Sequence, residues 1–582
     1  MQVGPRSMSY RSSAMQKETT EAASAQAGKH SPRSVSLATS EARTKDEKKR
    51  TMKSQPWLEG GGLAMLYLLP LIAIFLAPEQ NGFYHQVMPV TSLTRGALID
   101  LLVVGFLFGA GLAWLSAVKS RLLQRLFWIP VLFLTAWATE RGVTEFFRNI
   151  SVNFALFSPG WMRYLPWIVL ASVIVLLLFA RRYYDITVKA AEVFLMSAGF
   201  ATVFVVLPRL AFACFNHAPP EQASFNRPVS QPWHPGEPRV VWVLFDELSY
   251  DQVFDHRQRD VELPAFVRLK QEGLSFSQLA PEGNLTELVI PSLFLGRPVT
   301  EMRSNRSGEL LWRSGPQKGW QHFQPDATVF AAARAQGWGT GVVGWYNPYC
   351  RLLSTVLDRC YWTYQEFAQG GRFSHLSSQR SMVENARDAL PFMAQVENAW
   401  HHTSSNQSHK DDYQSVLKEA TLLIEDENIR FAFIHLPVPH PPGIFPNPDR
   451  SAKGREDYLG NLILADQALS ELRSAISSTS AASDTIFIAS SDHSWRTPMW
   501  RGFPGWSRAE ERASNGGSFD QRPVLIIHFP GETSGEVESI DQPQNAMILH
   551  SLLLDIFTGR IRRLQDLKGS VNAVSLVAGP PS

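Results

Sequence analysis

The chain has 582 residues, which exceeds the size of one ordinary domain and predicts at least two structural parts. Its 55 basic and 53 acidic residues give a formal net charge of +2, and this balance argues against a dedicated nucleic-acid-binding protein. Three cysteines are too few for a small disulfide-stapled scaffold.

Residues 1–56 form a polar segment that is rich in Ser, Ala, Thr and Lys and shows no apolar periodicity. A segment of this composition cannot bury enough apolar surface to offset the conformational entropy that folding would cost. We therefore expect residues 1–56 to be a disordered tail.

Apolar stretches dominate the next region, residues 57–210, and approach the length that a helix needs to cross a bilayer. There are five of them, at residues 62–78, 97–118, 122–139, 164–180 and 190–207. The third is the weakest, because Pro130 interrupts it. We expect an α-helical membrane bundle of about five spans, and the alternative is a set of core helices in a soluble all-α domain.

Basic residues predict the orientation of these spans. They precede the first span, separate the second from the third and separate the fourth from the fifth, at Lys48, Lys49, Arg50, Lys53, Lys119, Arg121, Arg125, Arg181, Arg182 and Lys189. With five spans these segments share one side, which the positive-inside rule makes cytoplasmic. The sequence thus predicts a multi-pass inner-membrane protein with a cytoplasmic N-terminus and a periplasmic or extracellular C-terminal domain. Asp100 and Glu192 lie near span ends, so we interpret the bundle as an anchor rather than a transporter.

A Pro-rich linker, residues 211–238, separates the spans from a region in which short apolar runs alternate with amphipathic stretches. The apolar runs, which suit buried strands of a parallel sheet, are residues 239–245, 339–346, 430–436, 485–490 and 523–529. The stretches with helical spacing are residues 264–273, 326–337 and 455–476. This alternation predicts a doubly wound α/β domain over residues 239–575.

Polar residues follow three of the predicted strands. The first strand ends in Asp246 and Glu247, and two others run into the pairs His435–His440 and Asp492–His493. Because ligands of such sheets bind beyond the carboxyl ends of the strands, we expect these side chains to meet. Their oxygen and nitrogen atoms suit Zn²⁺ or Mn²⁺, with Ca²⁺ or Mg²⁺ as alternatives. Taken singly, each has a plainer explanation, because carboxylates often cap turns and a lone histidine is often a packed core residue.

These segments resemble the alkaline phosphatase and sulfatase superfamily. The run RVVWVLFDEL from residue 239 is similar to the opening strand of that family, which ends in an acidic pair of metal ligands. The run SDHS from residue 491 resembles the Asp-His ligands, and the segment around His440 resembles a substrate-binding histidine segment. The resemblance implies a divalent metal site whose ligands are Asp246, Glu247, Thr286, Asp492 and His493, and substrate contacts from His440, His435 and Asn284.

Two spacings of the family identify Thr286 as the nucleophile. Sulfatases place a modified cysteine ten residues before a glycine, here Gly296, and membrane phosphoethanolamine transferases place a threonine five residues before a proline, here Pro291. A metal ion can lower the pKa of a threonine hydroxyl enough to make it a nucleophile. The alternatives for Thr286 are a helix N-cap and the acceptor context of the Asn284-Leu285-Thr286 sequon.

Spans followed by an external catalytic domain resemble the layout of phosphoethanolamine transferases and lipoteichoic acid synthases. This resemblance implies transfer of a phospho-alcohol head group from a phospholipid donor to an envelope glycan or lipid acceptor. Sulfate esters are the less favoured substrates, because no cysteine or serine stands at position 286 for formylglycine chemistry. The alternatives are a phosphodiesterase or sulfuric ester hydrolase that uses water, and an inactive envelope-binding protein, since Ser494 replaces the usual glycine after Asp-His.

Cys350 and Cys360 lie close together in the predicted external domain. In an oxidising compartment they are candidates for one disulfide bond. Two unpaired buried thiols are the alternative.

Overall fold

The computed structural model describes residues 55–76, 90–150, 168, 171–172, 181–215, 224–229, 231–304, 310–364, 393–447, 455–502, 505–531 and 537–578. Apart from its last two residues, the segment 1–56 that we predict to be disordered lies outside the described residues.

Long helices occupy the apolar region. They are α1 (Pro56–Leu76), α2 (Val90–Ala117), α3 (Arg121–Ile150), α4 (Arg181–Ala201) and α5 (Leu207–Phe215), with a π-helical turn at Thr202–Val206 between the last two. Within the part of the chain that the structure describes, three stretches are long and apolar enough to cross a membrane, namely Thr94–Ala117, Arg121–Glu140 and Tyr183–Phe212. They correspond to the second, third and fifth predicted spans and support membrane association. Most of the fourth, 164–180, lies outside the described residues, so the number of spans and their orientation stay predictions.

Glycines allow α1 to approach its neighbours closely. A Cβ atom on Gly60 would lie 2.2 Å from the backbone nitrogen of Gly109 in α2, and one on Gly62 would lie 2.0 Å from the carbonyl oxygen of Leu195 in α4. Small residues at such contacts are typical of helices that pack within a bilayer. Large apolar side chains such as Phe106 and Phe204 are exposed on the outside of these helices, as a lipid-facing surface requires.

The C-terminal region is an α/β domain. Its strands are β1 (Ser224–Asn226), β2 (Arg239–Asp246), β3 (Leu274–Phe276), β4 (Leu279–Ala280), β5 (Glu301–Ser304), β6 (Leu310–Arg313), β7 (Gln321–His322), β8 (Gly339–Trp345), β9 (Arg359–Thr363), β10 (Ile429–Pro439), β11 (Thr485–Ser491), β12 (Leu525–His528), β13 (Glu538–Ile540) and β14 (Gln544–Asn545). Its helices are α6 (Pro264–Glu272), α7 (Thr286–Leu295), α8 (Val329–Ala335), α9 (Tyr349–Leu352), α10 (Met393–Glu425), α11 (Tyr458–Ser477), α12 (Thr497–Trp500), α13 (Arg508–Ala513), α14 (Ile548–Phe557) and α15 (Leu564–Ala578).

Nine of the described strands form the main sheet, in the order β1-β9-β8-β10-β2-β11-β12-β3-β13. The five central strands from β9 to β11 are parallel to one another. Every residue of β2 and β10 is buried, which explains why these strands read as continuous apolar runs rather than as alternating ones.

The prediction that the sheet is parallel throughout is wrong for the strands on one side of it. The run 523–529, which we read as a parallel strand, forms β12, and β12 pairs antiparallel with both β11 and β3. The sheet is therefore mixed. A strand buried on both faces has the same apolar run in either direction, so the run itself does not encode how the strand pairs.

Cys350 in α9 and Cys360 in β9 are joined by a disulfide bond. The third cysteine, Cys214, is a buried free thiol in α5.

This pairing predicts the outcome of thiol labelling on the denatured chain. Without reductant, iodoacetamide should modify one cysteine, Cys214, and after reduction it should modify all three, as read by peptide mass spectrometry. A Cys214→Ser variant should show no labelled cysteine before reduction and two after it. Labelling of Cys350 or Cys360 in unreduced, oxidatively prepared protein would contradict the disulfide.

Candidate active site

The polar ends of three neighbouring strands meet at one edge of the sheet. Strand β2 lies between β10 and β11, and its last residue, Asp246, is in register with Pro439 of β10. Ser491 of β11 pairs with Phe245, which brings Asp492 and His493 next to the end of β2. Parallel pairing thus delivers carboxylate and imidazole groups to one place.

Helix α7 places Thr286 over these strand ends. Phe294 near the end of α7 packs its ring 6.0 Å from that of Trp242 in β2 and 5.1 Å from that of Phe433 in β10. Gly296 ends the helix in a left-handed conformation, and a Cβ atom there would lie 2.4 Å from the His550 ring. The helix is therefore fixed on the central strands at its far end.

The Thr286 hydroxyl faces the carboxylates and not the helix. Leu285 is the N-cap of α7 and Thr286 is its first residue, so the threonine is not an N-cap. Its Oγ1 atom lies 2.8 Å from Asp492 Oδ2, 3.4 Å from Asp246 Oδ2 and 3.3 Å from His493 Nε2. Only 4% of the residue is exposed. The hydroxyl therefore lies within reach of an ion or group that binds to these two carboxylates.

Asp246, Asp492 and His493 form a group that fits a divalent metal ion. Each offers one ligand atom, and these atoms all lie within 4.8 Å of one another. All three residues are buried, and Asp246 Oδ1 has no hydrogen-bond partner among the described residues. A buried carboxylate oxygen without a partner is costly, so this oxygen is suited to bind a cation. Two carboxylates and one imidazole are typical ligands of zinc or manganese.

The protonation of this group in the metal-free chain follows from its burial. Burial, and next the adjacent Asp492 carboxylate, raise the pKa of Asp246 well above its usual range. Burial also lowers the pKa of His493 to about 4, so its imidazole is neutral and able to act as a ligand. A cation that binds here therefore displaces a proton from Asp246.

Glu247 is turned towards a different set of partners. Its backbone has a φ of 63°, in the left-handed region that costs a glutamate energy, and such positions are typical of functional sites. The Tyr458 hydroxyl donates to its carbonyl oxygen at 2.8 Å. Its carboxylate accepts hydrogen bonds from Arg496 Nε and from Trp500 Nε1. Burial raises the pKa of Glu247 to about 7.

The predicted substrate-binding residues lie in three different environments. His435 is fully buried, and its Nε2 lies 3.3 Å from Asp246 Oδ2 while its Nδ1 lies 2.7 Å from the Tyr349 hydroxyl. This placement favours positioning of Asp246 over contact with a substrate. His440 lies at the rim, with Nε2 3.9 Å from Glu247 Oε1. Asn284 is exposed two residues before Thr286, as an entrance residue would be.

Two residues that were not predicted to belong to the site also shape it. Arg496 and Trp500 both bond to Glu247. Arg496 lies three positions after His493. The replacement of the usual glycine by Ser494 indicated altered surroundings of the Asp-His pair, but it did not predict the contact between Arg496 and Glu247. Trp500 lies in the short helix α12, which gives no apolar pattern of its own.

The geometry predicts proton-linked metal binding. Affinity for Zn²⁺ or Mn²⁺ should rise with pH, because the metal competes with the proton on Asp246, whose pKa is raised by burial. Calorimetry in buffers of different ionisation enthalpy should detect proton release. Asp246→Asn should weaken binding at least about tenfold, because it removes a charged ligand. Asp466→Asn is the matched control, since Asp466 is a buried carboxylate that accepts backbone N–H groups of α6. Affinity that is independent of pH, or equal loss in both variants, would contradict the assignment.

Comparison with known proteins identifies the family of the domain. The model of the Sulfatase family matches residues 238–558. A comparison with curated proteins returns no match.

Several solved structures are similar to this chain at low identity. A structure of Ps i-CgsB with k-i-k-neocarrahexaose has 14% identity and a TM-score of 0.38, and the match covers 57% of this chain and 74% of that one. An alkaline phosphatase superfamily protein from Vibrio parahaemolyticus has 17% identity and a TM-score of 0.33, with 56% and 67% covered. The phosphonate monoester hydrolase of Agrobacterium radiobacter has 16% identity and a TM-score of 0.31, with 55% and 74% covered.

The family match spans more than half of the chain and contains every strand that carries the site. It confirms the resemblance seen in the sequence. The chain therefore belongs to the sulfatase family of the alkaline phosphatase superfamily, and it is a sulfatase-like hydrolase or transferase.

Proposed function

We propose that this protein is a membrane-anchored, metal-dependent enzyme that uses Thr286 to attack phosphate esters and transfers a phospho-alcohol head group to a cell-envelope acceptor. One observation carries the proposal. The Thr286 hydroxyl oxygen lies within 3.4 Å of side-chain atoms of Asp246, Asp492 and His493, at the N-terminus of a ten-residue helix.

The identity of residue 286 favours phosphate over sulfate esters. The formylglycine route of sulfatases starts from a cysteine or serine, and threonine offers neither precursor. A threonine hydroxyl can instead act directly as an oxygen nucleophile. The free backbone N–H groups in the first turn of α7 also favour an anionic group next to this hydroxyl.

The residues of the site have separate tasks in this reaction. A divalent ion held by Asp246, Asp492 and His493 would lower the pKa of the Thr286 hydroxyl and offset negative charge on the transferred group. The Thr286 hydroxyl donates to Asp492 Oδ2, with 2.8 Å between the two oxygens. Oγ1 of Thr286 would give its proton to Asp492 Oδ2 and bond to phosphorus while the bond from phosphorus to the departing alcohol oxygen breaks, and that oxygen would take a proton from water. A second alcohol, or water, would then lose its proton as its oxygen bonds to phosphorus, and the bond from phosphorus to Thr286 Oγ1 would break. Oγ1 would take a proton back, which restores the hydroxyl and leaves the phospho-alcohol group on the acceptor.

His440 is suited to hold a substrate oxygen. Burial, and next the adjacent Arg496 guanidinium, lower the pKa of His440 well below its usual range. The neutral imidazole that results is a weak proton donor. A hydrogen bond to the substrate is therefore favoured over protonation of the departing alcohol.

The apolar helices support a lipid donor. Three stretches have the length and composition to cross a membrane. An enzyme anchored in this way is held near phospholipid head groups, and an envelope glycan or lipid is the corresponding acceptor. With the orientation predicted from the basic residues, the catalytic domain lies on the periplasmic or extracellular side of the inner membrane.

The nucleophile assignment predicts the behaviour of two variants. Thr286→Ala should lower turnover of an aryl phosphodiester by at least about a thousandfold, as expected when a nucleophile is removed, whereas Thr286→Ser should keep part of the activity. Thr340→Ala is the control, because Thr340 is a buried threonine in β8 whose hydroxyl donates to the carbonyl oxygen of Val356. Wild-type activity in Thr286→Ala would remove Thr286 from the mechanism, and no metal-dependent turnover by the wild type would favour an inactive binding protein.

Transfer and hydrolysis differ in where a labelled phosphate goes. With membranes that contain phospholipid labelled in the head-group phosphate, we expect the label to move to a glycan or lipid acceptor when wild-type protein is present. Thr286→Ala membranes should show no movement. Label that reaches only the free phospho-alcohol would show that water is the acceptor and would contradict the transferase proposal.

A further inference from the structure

A tyrosine in the disulfide-linked helix α9 is connected to the candidate metal site through one histidine. Tyr349 begins α9, and its hydroxyl oxygen lies 2.7 Å from His435 Nδ1. The other ring nitrogen of His435, Nε2, lies 3.3 Å from Asp246 Oδ2. We propose that Tyr349 is a positioning residue, which keeps the proton of His435 on Nε2 and thereby holds the Asp246 carboxylate in the orientation that binds the metal ion. The proposal rests on the metal site of the proposed function.

All three members of this chain of contacts are enclosed in the domain. Tyr349, His435 and Asp246 have no exposed surface. Water therefore cannot replace a hydrogen bond that is lost here, and a buried polar atom without a partner is costly. The position of a single proton on His435 then has consequences for both of its neighbours.

The two nitrogens of His435 have different neighbours, and only one placement of the proton satisfies both. Burial lowers the pKa of His435 to about 4, so the ring is neutral and carries one proton. With this proton on Nε2, His435 donates to Asp246, and its Nδ1 accepts from the Tyr349 hydroxyl. With the proton on Nδ1, the lone pair of Nε2 would face the carboxylate of Asp246.

The Tyr349 hydroxyl is the group that selects between these two forms. The Trp345 backbone also bonds to the His435 ring, but it favours the protonated ring and is therefore an acceptor. Of these two neighbours, only the tyrosine can donate to Nδ1. A donor at Nδ1 leaves the proton on Nε2, where Asp246 accepts it.

The donor on Nε2 determines how the Asp246 carboxylate is turned. Its Oδ2 atom contacts His435 and, at 3.4 Å, the Thr286 hydroxyl oxygen. The other oxygen, Oδ1, has no hydrogen-bond partner among the described residues. A carboxylate that is already held by a neighbouring donor loses less freedom when it binds an ion, so its affinity is higher.

Packing and a covalent bond hold the Tyr349 ring in place. The next residue, Cys350, is joined to Cys360 in β9 by the disulfide bond. Gly344 in β8 leaves space for the ring, since a Cβ atom there would lie 2.3 Å from its Cε2 atom. The ring centre lies 6.2 Å from that of Phe294 in α7. None of these contacts uses the hydroxyl, so a phenylalanine at position 349 would keep them.

The affinity of the full-length protein in detergent for Mn²⁺ tests the proposal. Tyr349→Phe removes only the hydroxyl and should weaken Mn²⁺ binding at least about tenfold, as is typical when a group that orients a metal ligand is lost. Tyr184→Phe is the matched control and should bind as the wild type does, because Tyr184 is a buried tyrosine in α4 whose hydroxyl donates to the carbonyl oxygen of Arg125. Wild-type affinity in Tyr349→Phe would overturn the proposal.

A double variant separates positioning from a structural role of Tyr349. In His435→Gln the amide N–H takes the place of Nε2–H, and an amide has no second tautomer. Adding Tyr349→Phe to His435→Gln should therefore weaken Mn²⁺ binding no further, whereas a structural defect in α9 would weaken it in both backgrounds. The same loss in both backgrounds would overturn the proposal.

Two substitutions of His435 give a result even if Tyr349→Phe fails to fold. The shorter His435→Asn places its amide at the position of Nδ1, away from Asp246, and should bind Mn²⁺ at least about tenfold more weakly than His435→Gln. Equal affinities of these two variants would overturn the proposal. Turnover is not measured, so a failure of Thr286 as the nucleophile leaves the comparison valid. No Mn²⁺ binding by the wild type would overturn the metal site of the proposed function, and this proposal with it.

Discussion

The burial of several carboxylates at one sheet edge is the constraint on which the site depends. Asp246, Glu247 and Asp492 are all fully inaccessible to solvent. Carboxylates that lie side by side and are shielded from water cannot all remain ionised unless cations lie next to them. The chain itself supplies one cation, the guanidinium of Arg496 beside Glu247. The unpartnered oxygen of Asp246 marks where another is needed.

The fold brings these charges together because its central strands are parallel. Strands β10, β2 and β11 are neighbours and run in one direction, so their carboxyl ends share one edge. The middle of each strand is largely apolar, and most of the residues that form the site follow at its carboxyl end. The helix that carries Thr286 is fixed by aromatic contacts between Phe294 and the same strands. The apolar part of each strand therefore stabilises the sheet, and its carboxyl end supplies residues of the site.

Much of this arrangement could be predicted from the sequence, because it follows from the positions of strand ends. The bounds predicted for the first and fourth strands come close to Arg239–Asp246 and Thr485–Ser491. The reversed direction of β12 could not be predicted, since a buried strand has no directional pattern. The same holds for Arg496, whose partner Glu247 lies 249 positions earlier in the chain. Such a contact depends on tertiary packing, which local patterns do not contain.

The most direct test of the whole account is an anomalous-scattering experiment on crystals of Mn²⁺-loaded protein. We predict one strong peak per chain, bounded by Asp246, Thr286, Asp492 and His493, with Arg496 still on Glu247. Absence of a peak there, or a peak elsewhere in the domain, would contradict a metal-dependent site built on Thr286.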